Sequence, residues 1–250
     1  MAVPSYDFSG RHVLVTGGTR GLGLLVSRSF ADAGAEVTVV GTASLTAYYD
    51  SDLDGLSYEQ ADLTDGDSIA DLAARLGHVD VLVNVASPRL PVDLDPAERE
   101  FIAQTVRLGL TGPVQLATRL RLRMATSSTR GGGSVVNLPP TKRWFELSHG
   151  SPAAEGELTR VTQRLGTSWA RAGVRFNSLT APLDVPAQRP GFRVQIERNS
   201  GPLLTRTQSP RTATQRELID VALFLASSGA AGLSGQTLRL GEEPARPDPR

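Results

Sequence analysis

A glycine-rich segment at residues 16–23 restricts the fold of this chain more than any other feature. It reads Thr16, Gly17, Gly18, Thr19, Arg20, Gly21, Leu22, Gly23. Its first two residues end a mostly apolar run, residues 11–17, that is typical of a short buried strand. It precedes a segment in which Leu22, Leu25 and Phe30 recur at helical spacing. Because glycines permit positive φ and close backbone approach, the sequence predicts a strand, a tight turn and a helix in direct succession.

Apolar strands and amphipathic helices alternate along the rest of the chain. The first helix ends at Gly34. Strands are then predicted at 36–40, 56–61, 79–83, 134–138, 174–179 and 237–240, and helices at 68–76, 96–124, 153–172 and 215–226. This alternation favours right-handed crossovers and a parallel sheet covered by helices on both faces. We therefore expect a single α/β domain over residues 1–250, a doubly wound parallel sheet of Rossmann type.

Composition narrows the class of protein. The chain contains no Cys, which excludes disulfides, a thiolate nucleophile and a metal site built on Cys. The 26 basic residues are balanced by 26 acidic ones, so no basic excess suggests nucleic-acid binding. No apolar run is long enough to span a membrane, and the first eleven residues do not resemble a signal peptide. We expect a cytoplasmic protein that acts on a small molecule.

Two segments lack periodicity. Residues 184–214 are rich in Pro, Arg, Gln and Ser, and a long irregular stretch inside a compact domain is typical either of a lid over a substrate site or of a disordered segment. Residues 241–250 are predicted to form a solvated tail.

The glycine-rich segment is well placed for an anion. The N-terminus of a helix offers free N–H groups and the positive end of its dipole. At the first strand–helix junction of a βαβ pattern, these groups favour the pyrophosphate of a dinucleotide.

The spacing T-G-x-x-x-G-x-G, with the motifs that follow it, resembles the short-chain dehydrogenase/reductase family. Asp62-Leu63-Thr64-Asp65 resembles the family's Asp motif after a strand, and Asn84-Val85-Ala86-Ser87 resembles its N-N-A-G motif. Arg175-Phe176-Asn177 with Pro182 resembles R-V-N…P-G, and residues 224–227 and 233–238 resemble its C-terminal segment. The resemblance implies a dinucleotide cofactor held by Thr16, Gly17, Thr19, Arg20, Gly21, Leu22, Gly23, Thr42, Asp62, Leu63, Asn84, Ala86 and Pro182.

The choice of cofactor follows from charge. An acidic residue at the end of the second strand would bind the adenosine ribose hydroxyls and repel a 2′-phosphate. Here that end reads Val40, Gly41, Thr42, and Arg20 could pair with a phosphate. Both features favour NADP(H), if a cofactor is bound; the alternative is that Arg20 is simply a solvated loop residue.

The family's catalytic Y-x-x-x-K pair has no counterpart in this sequence. The Tyr residues are Tyr6, Tyr48, Tyr49 and Tyr58, all ahead of the fourth strand, and Lys142 is the only Lys. Alignment backwards from Leu158 puts Ser148 at the Tyr position and Pro152 at the Lys position. The resemblance therefore implies a lost redox centre, because an unperturbed Ser is a poor proton donor and Pro carries no charge.

The segment 141–149 carries other reactive side chains. His149 and Glu146 could serve as acid and base near neutral pH. Lys142 or Arg143 could hold a substrate oxyanion, and Thr141 or Arg143 could orient the substrate. The alternative is a decayed site whose polar residues face solvent.

Three functions remain open. The chain is a repurposed enzyme with non-redox (cyclase, dehydratase or isomerase) or atypical reductase chemistry, a non-catalytic subunit or regulator that pairs with an active homologue, or, least in keeping with the sequence, an ordinary reductase. The resemblance also implies a homo-oligomer, a dimer or tetramer, built on the helices at 96–124 and 153–172.

Overall fold

The computed structural model describes residues 6–86, 106–138, 151–180, 194–196 and 215–240. Within these ranges the chain forms one eight-stranded β-sheet with helices on both faces. The strands are β1 (His12–Thr16), β2 (Glu36–Gly41), β3 (Ser57–Gln60), β4 (Val81–Asn84), β5 (Gly133–Asn137), β6 (Val174–Thr180), β7 (Val194–Ile196) and β8 (Thr237–Leu240). The helices are α1 (Gly21–Asp32), α2 (Gly66–Arg75), α3 (Gly112–Met124), α4 (Ser151–Ala170) and α5 (Gln215–Ala226).

The sheet has the strand order β3-β2-β1-β4-β5-β6-β8-β7. Neighbours from β3 to β8 pair in parallel, which confirms the predicted Rossmann-type fold. The order of the strands reverses between β1 and β4. In such sheets the crevice at this reversal, beyond the carboxyl ends of the strands, is where ligands bind.

Alternation along the strands builds two apolar layers. Val13 and Val15 face one side, where Phe30 of α1 and Leu225 of α5 pack on the sheet. Leu14, between them, faces the other side and joins the cluster to which α2, α3 and α4 contribute. All of these side chains are fully buried, because successive side chains of a strand point to opposite faces.

Helix ends follow local chemistry. Asp65 caps α2, its carboxylate accepting from the amides of Asp67 at 3.2 Å and Ser68 at 3.3 Å. This cap explains why α2 begins two residues ahead of the predicted helix, since a side chain that satisfies free N–H groups extends the helix towards itself. At the other end of the chain, the guanidinium of Arg175 donates to the carbonyls of Leu225 and Ala226, at the end of α5, and to those of Ser227 and Ala230, which follow it.

Apart from shifts of one or two residues at the ends of elements, such as that of α2, the structure departs from the predicted elements in two places. Residues 194–196, inside the segment predicted as an irregular lid, form β7, which pairs antiparallel with β8. The sheet is therefore not wholly parallel. The predicted helix at 96–124 ends at Met124 as expected, but Arg107–Thr111 form a π-helical turn ahead of α3. Residues 96–105, the rest of the segment 184–214 and the tail at 241–250 lie outside the described residues.

In the part of the chain that the structure describes, no helix is both long enough and apolar enough to cross a membrane.

Candidate functional site

The glycine-rich loop brings the ends of β1 and β4 together. Gly17 has φ +69°, and a β-carbon there would lie 2.7 Å from Cα of Ala86. The Gly17 amide donates to the carbonyl of Val40 at 3.0 Å, so the loop is also tied to β2. Only glycine meets both the dihedral angle and the contact. The structure thus brings the predicted residues Gly17 and Ala86 into direct contact.

The N-terminus of α1 is open. Arg20 precedes the helix in an extended conformation and its side chain makes no capping hydrogen bond. The first intrahelical bond joins the amide of Leu24 to the carbonyl of Arg20 at 3.2 Å, so the amides of Gly21, Leu22 and Gly23 have no partner within the helix. No acidic residue lies in the first turn. This end of α1 retains the positive partial charge that an anion requires.

A buried chain of hydrogen bonds runs beneath the loop. The Thr16 hydroxyl accepts from the amides of Val85 (3.3 Å) and Ala86 (3.4 Å) and donates to Oδ1 of Asn84 at 3.3 Å. Asn84 Nδ2 donates to Oδ1 of Asn137 at 2.8 Å. Thr16, Asn84 and Asn137 are each the last residue of a strand and all are almost fully buried. The carboxyl ends of β1, β4 and β5 are therefore joined side chain to side chain.

The chain continues to α4. Asn137 Nδ2 donates to Oγ of Ser178 in β6 at 3.3 Å, and the Ser178 and Thr162 hydroxyls are 2.7 Å apart. Thr162 donates its one proton to the carbonyl of Leu158 at 2.7 Å, so Ser178 must donate to Thr162. Every donor then points the same way, from the glycine-rich loop to α4. We call Thr16, Asn84, Asn137, Ser178 and Thr162 the polar ladder.

The polar ladder adds residues that sequence reasoning missed. Asn137, Ser178 and Thr162 were not predicted site residues. For Asn137 and Ser178 the signal in the sequence is a polar residue at or near the end of an apolar strand, as at Asn84; Thr162 lies in α4 and has no such signal. That pattern alone does not indicate that the two amides meet.

The other predicted cofactor residues lie at the same edge of the sheet. Asp62 lies two residues after the end of β3, is exposed, and accepts at Oδ1 from the Thr64 amide (2.8 Å) and hydroxyl (2.7 Å). Leu63 is buried against α2 and α3. Thr42, after β2, is exposed, as is Arg20, whereas Thr19 is only 3% exposed. No acidic side chain occupies the end of β2, as the sequence predicted.

The predicted reactive segment at 141–149 lies outside the described residues. It contains the predicted site residues Thr141, Arg143, Glu146, Ser148 and His149. The predicted cofactor residue Pro182 also lies outside the described residues. The structure does describe the two elements that this segment joins. β5 ends at Asn137 and α4 begins at Ser151, and both carry members of the polar ladder.

Comparison with known proteins gives one consistent family. A family model described as short chain dehydrogenase matches residues 11–184. The chain is 28% identical to gluconate 5-dehydrogenase of Gluconobacter oxydans, over 93% of this chain and 94% of that protein. It is 27% identical to D-threitol dehydrogenase of Mycolicibacterium smegmatis, with 93% of both chains covered.

Solved structures agree on the fold. A short chain dehydrogenase/reductase family protein superposes with a TM-score of 0.65 at 28% identity, covering 93% of this chain and 96% of the other. A gluconate 5-dehydrogenase from Burkholderia cenocepacia, solved with NADP and tartrate, gives a TM-score of 0.67 at 23% identity, with 96% and 97% covered.

Proposed function

The chain belongs to the short chain dehydrogenase family, and we propose that it is an NADP(H)-binding enzyme that acts on a small organic substrate without the family's Tyr–Lys pair. The observation that carries the proposal is a contrast between the cofactor loop, which is intact, and the catalytic Tyr–Lys pair, which is missing from the sequence. The loop that would hold the pyrophosphate has the required geometry, with Gly17 against Ala86 and an uncapped α1. Yet no Tyr follows Tyr58, and Lys142 is the only Lys.

The cofactor assignment rests on charge at the carboxyl edge. A 2′-phosphate needs a site without a nearby carboxylate and benefits from a cation. The end of β2 carries no acid, and Arg20 projects from the loop as an exposed cation. These features support NADP(H) over NAD(H).

The proposed chemistry depends on which side chains can donate or accept a proton. A carbonyl that is reduced develops an alkoxide, which needs a donor positioned beside it. We propose that His149 and Glu146 fill the acid and base roles, that Thr141, Arg143 and Ser148 orient the substrate, and that the reaction is a cyclisation, dehydration, isomerisation or atypical reduction. The relatives named for gluconate and D-threitol support a small hydroxylated substrate.

A second candidate function has support from the same contrast. A chain that keeps the fold and loses the Tyr–Lys pair also suits a non-catalytic subunit or regulator paired with an active homologue. Such a subunit needs its interaction surface but not its substrate site.

Turnover and binding assays together test the proposal. We expect calorimetry to show NADPH binding. A ketone panel with NADPH should give rates about 10²–10⁴-fold below a catalytically complete relative assayed with its own substrate, because that is the usual contribution of a positioned general acid. The gluconate 5-dehydrogenase of Gluconobacter oxydans is a suitable positive control.

His149→Ala separates the outcomes. Ketone turnover at the control's rate that survives this substitution would refute both the lost redox chemistry and the role of His149. Activity in a redox or non-redox assay that His149→Ala abolishes would support the proposed site. A chain that binds NADPH and turns over nothing would favour the non-catalytic subunit.

A further inference from the structure

The hydroxyl of Tyr49 lies at the carboxyl end of β2. A β-carbon placed on Gly41, the last residue of the strand, would overlap Oη of Tyr49 and would lie 2.8 Å from Cγ2 of Thr19. Tyr49 comes from the segment after β2, whereas Thr19 belongs to the glycine-rich loop. The phenol therefore fills the space that a side chain at position 41 would take, between the loop and the strand.

Tyr49 and Tyr58 hold the backbone that follows this point. The amide of Ala43 donates to Oη of Tyr49 at 3.0 Å, and the hydroxyl of Tyr58 donates to the carbonyl of Ala43. The two phenol oxygens are 3.3 Å apart, and the rings meet edge to face at 5.9 Å. Gln60 Nε2 donates to the carbonyl of Thr42 at 3.2 Å. Both polar backbone groups of Ala43 are thus fixed, and no carboxylate takes part.

The hydrogen bonds that Tyr49 receives make its hydroxyl a better donor. Tyr58 gives its one proton to Ala43, so in the neutral pair Tyr49 donates to Tyr58 across the long 3.3 Å contact, which a phosphate oxygen can replace as acceptor. Burial raises the pKa of Tyr49, but hydrogen bonds to its ionised oxygen, from Tyr58 first and then from the Ala43 amide, Thr19 and Thr42, outweigh burial, and the net pKa lies below the usual value. Tyr58 has its pKa raised, first by burial and then by Tyr49. Within the pair, Tyr49 is therefore the hydroxyl that gives up its proton more readily to an anionic acceptor.

Position 41 is where recognition of the ribose is decided. An acid at the end of this strand would accept from the 2′-hydroxyl of the adenosine ribose and repel a 2′-phosphate. Here the strand ends in Gly41, and the uncharged hydroxyl of Tyr49 occupies the space that a side chain at position 41 would fill. A donor in that place forms a charge-assisted hydrogen bond with a phosphate, whereas a ribose hydroxyl gains only a neutral hydrogen bond, which is about half as strong.

We infer that Tyr49 is the residue that selects a 2′-phosphorylated dinucleotide. Its hydroxyl occupies the space of a side chain at position 41 and donates to the 2′-phosphate. Its hydrogen bond with the Ala43 amide fixes the adjoining backbone, so that no charged group lies there. This inference rests on the proposed binding of NADP(H). It adds to that proposal the specific residue, other than Arg20, on which the preference depends.

Tyr49→Phe is the direct test, because it removes the hydroxyl and keeps the ring that packs on Tyr58. Dissociation constants for NADPH and NADH are measured by calorimetry on the full chain. We expect the constant for NADPH to rise about tenfold, the loss of one charge-assisted hydrogen bond, and the constant for NADH to change less than twofold. Tyr48→Phe is the matched control: Tyr48 is the neighbouring residue, 68% exposed, and should change neither constant.

A pair of variants tests the steric part. Gly41→Asp alone should lower the melting temperature and weaken binding of both cofactors, because the carboxylate and the phenol compete for one space. Gly41→Asp combined with Tyr49→Ala removes that conflict, and we expect the double variant to prefer NADH. If Gly41→Asp does not fold, Tyr49→Phe still decides the question.

The outcomes test the role of Tyr49 separately from the proposed binding of NADP(H). A wild-type chain that binds neither dinucleotide, or binds both equally, overturns the cofactor proposal and the inference with it. A wild-type chain that prefers NADPH, with an unchanged ratio of constants in Tyr49→Phe, overturns the inference alone.

Discussion

Arg20 is the exposed cation of the glycine-rich loop, and its charge is expected to contribute to NADP(H) selection independently of Tyr49. Arg20→Ala should weaken NADPH binding about tenfold, ~1.4 kcal/mol, and leave NADH binding nearly unchanged, since only the phosphorylated ribose offers it an ion pair. The loss should shrink with added salt, because the side chain is exposed and its interactions are screened.

Calorimetric titration of both cofactors measures the Arg20 effect. Arg130→Ala is the control: it makes the same change of charge at an exposed residue before β5, at the opposite edge of the sheet. Equal losses for NADPH and NADH in Arg20→Ala would contradict a role in selection.

The polar ladder acts at the level of strands and helices, because it aligns the ends of β1, β4, β5 and β6 and joins them to α4. Asn137→Ala interrupts it in the middle and leaves the Asn84 amide without its acceptor. We expect the free energy of unfolding to fall by about 2–3 kcal/mol, the cost of a buried polar group without a partner. NADPH binding should weaken as well, because Thr16, at the end of the ladder, supports the glycine-rich loop.

Ser134→Ala is the matched control for the ladder. Ser134 lies in the same strand, is equally buried, and its hydroxyl donates to the carbonyl of Leu225 at 3.1 Å. It lies at the amino end of β5, so its loss should reduce stability, measured by urea unfolding, and leave NADPH affinity unchanged. If Asn137→Ala affects stability alone, the ladder is structural and does not position the loop.

The exposed faces of α3 and α4 are where the whole molecule is expected to pair with a second copy. Arg121 of α3 stacks on Trp169 of α4, with 5.8 Å between the guanidinium carbon and the ring centroid, which ties the helices together. Arg160, Arg164 and Arg171 line an open groove of about 750 Å³ along α4. We propose a two-fold pairing centred near Arg164, in which Glu157 of one copy would face Arg171 of the other, since each is seven residues from Arg164.

A charge swap tests this pairing. We expect a dimer or tetramer by light scattering at micromolar concentration. Glu157→Arg should dissociate it by placing like charges opposite each other, and adding Arg171→Glu should restore it. A wild-type monomer, or a double variant that stays dissociated, would contradict the arrangement.

Much of the fold follows from local patterns in the sequence. Val13, Leu14 and Val15 predict a strand buried on both faces, and the glycines after them predict the turn into α1, because each signal depends on neighbouring residues. Asn84 and Ala86 were likewise predicted from a local motif, although their contact with Thr16 depends on the pairing of β1 with β4. Helix starts were less predictable, since the cap at Asp65 extends α2 beyond its apolar pattern.

Other features depend on contacts between distant segments. β7 is three residues long and has no pattern of its own; it is a strand because β8 provides an antiparallel partner. Asn137 meets Asn84 only through the register in which β4 and β5 pair.

The strands other than β7, the helices and the glycine turn were thus determined by the sequence itself, because backbone preferences and hydrophobic periodicity act over a few residues. The polar ladder and the position of Tyr49 over Gly41 were decided by tertiary packing. Hydrogen bonds and steric overlap between residues far apart in the chain exist only when the sheet has brought them together.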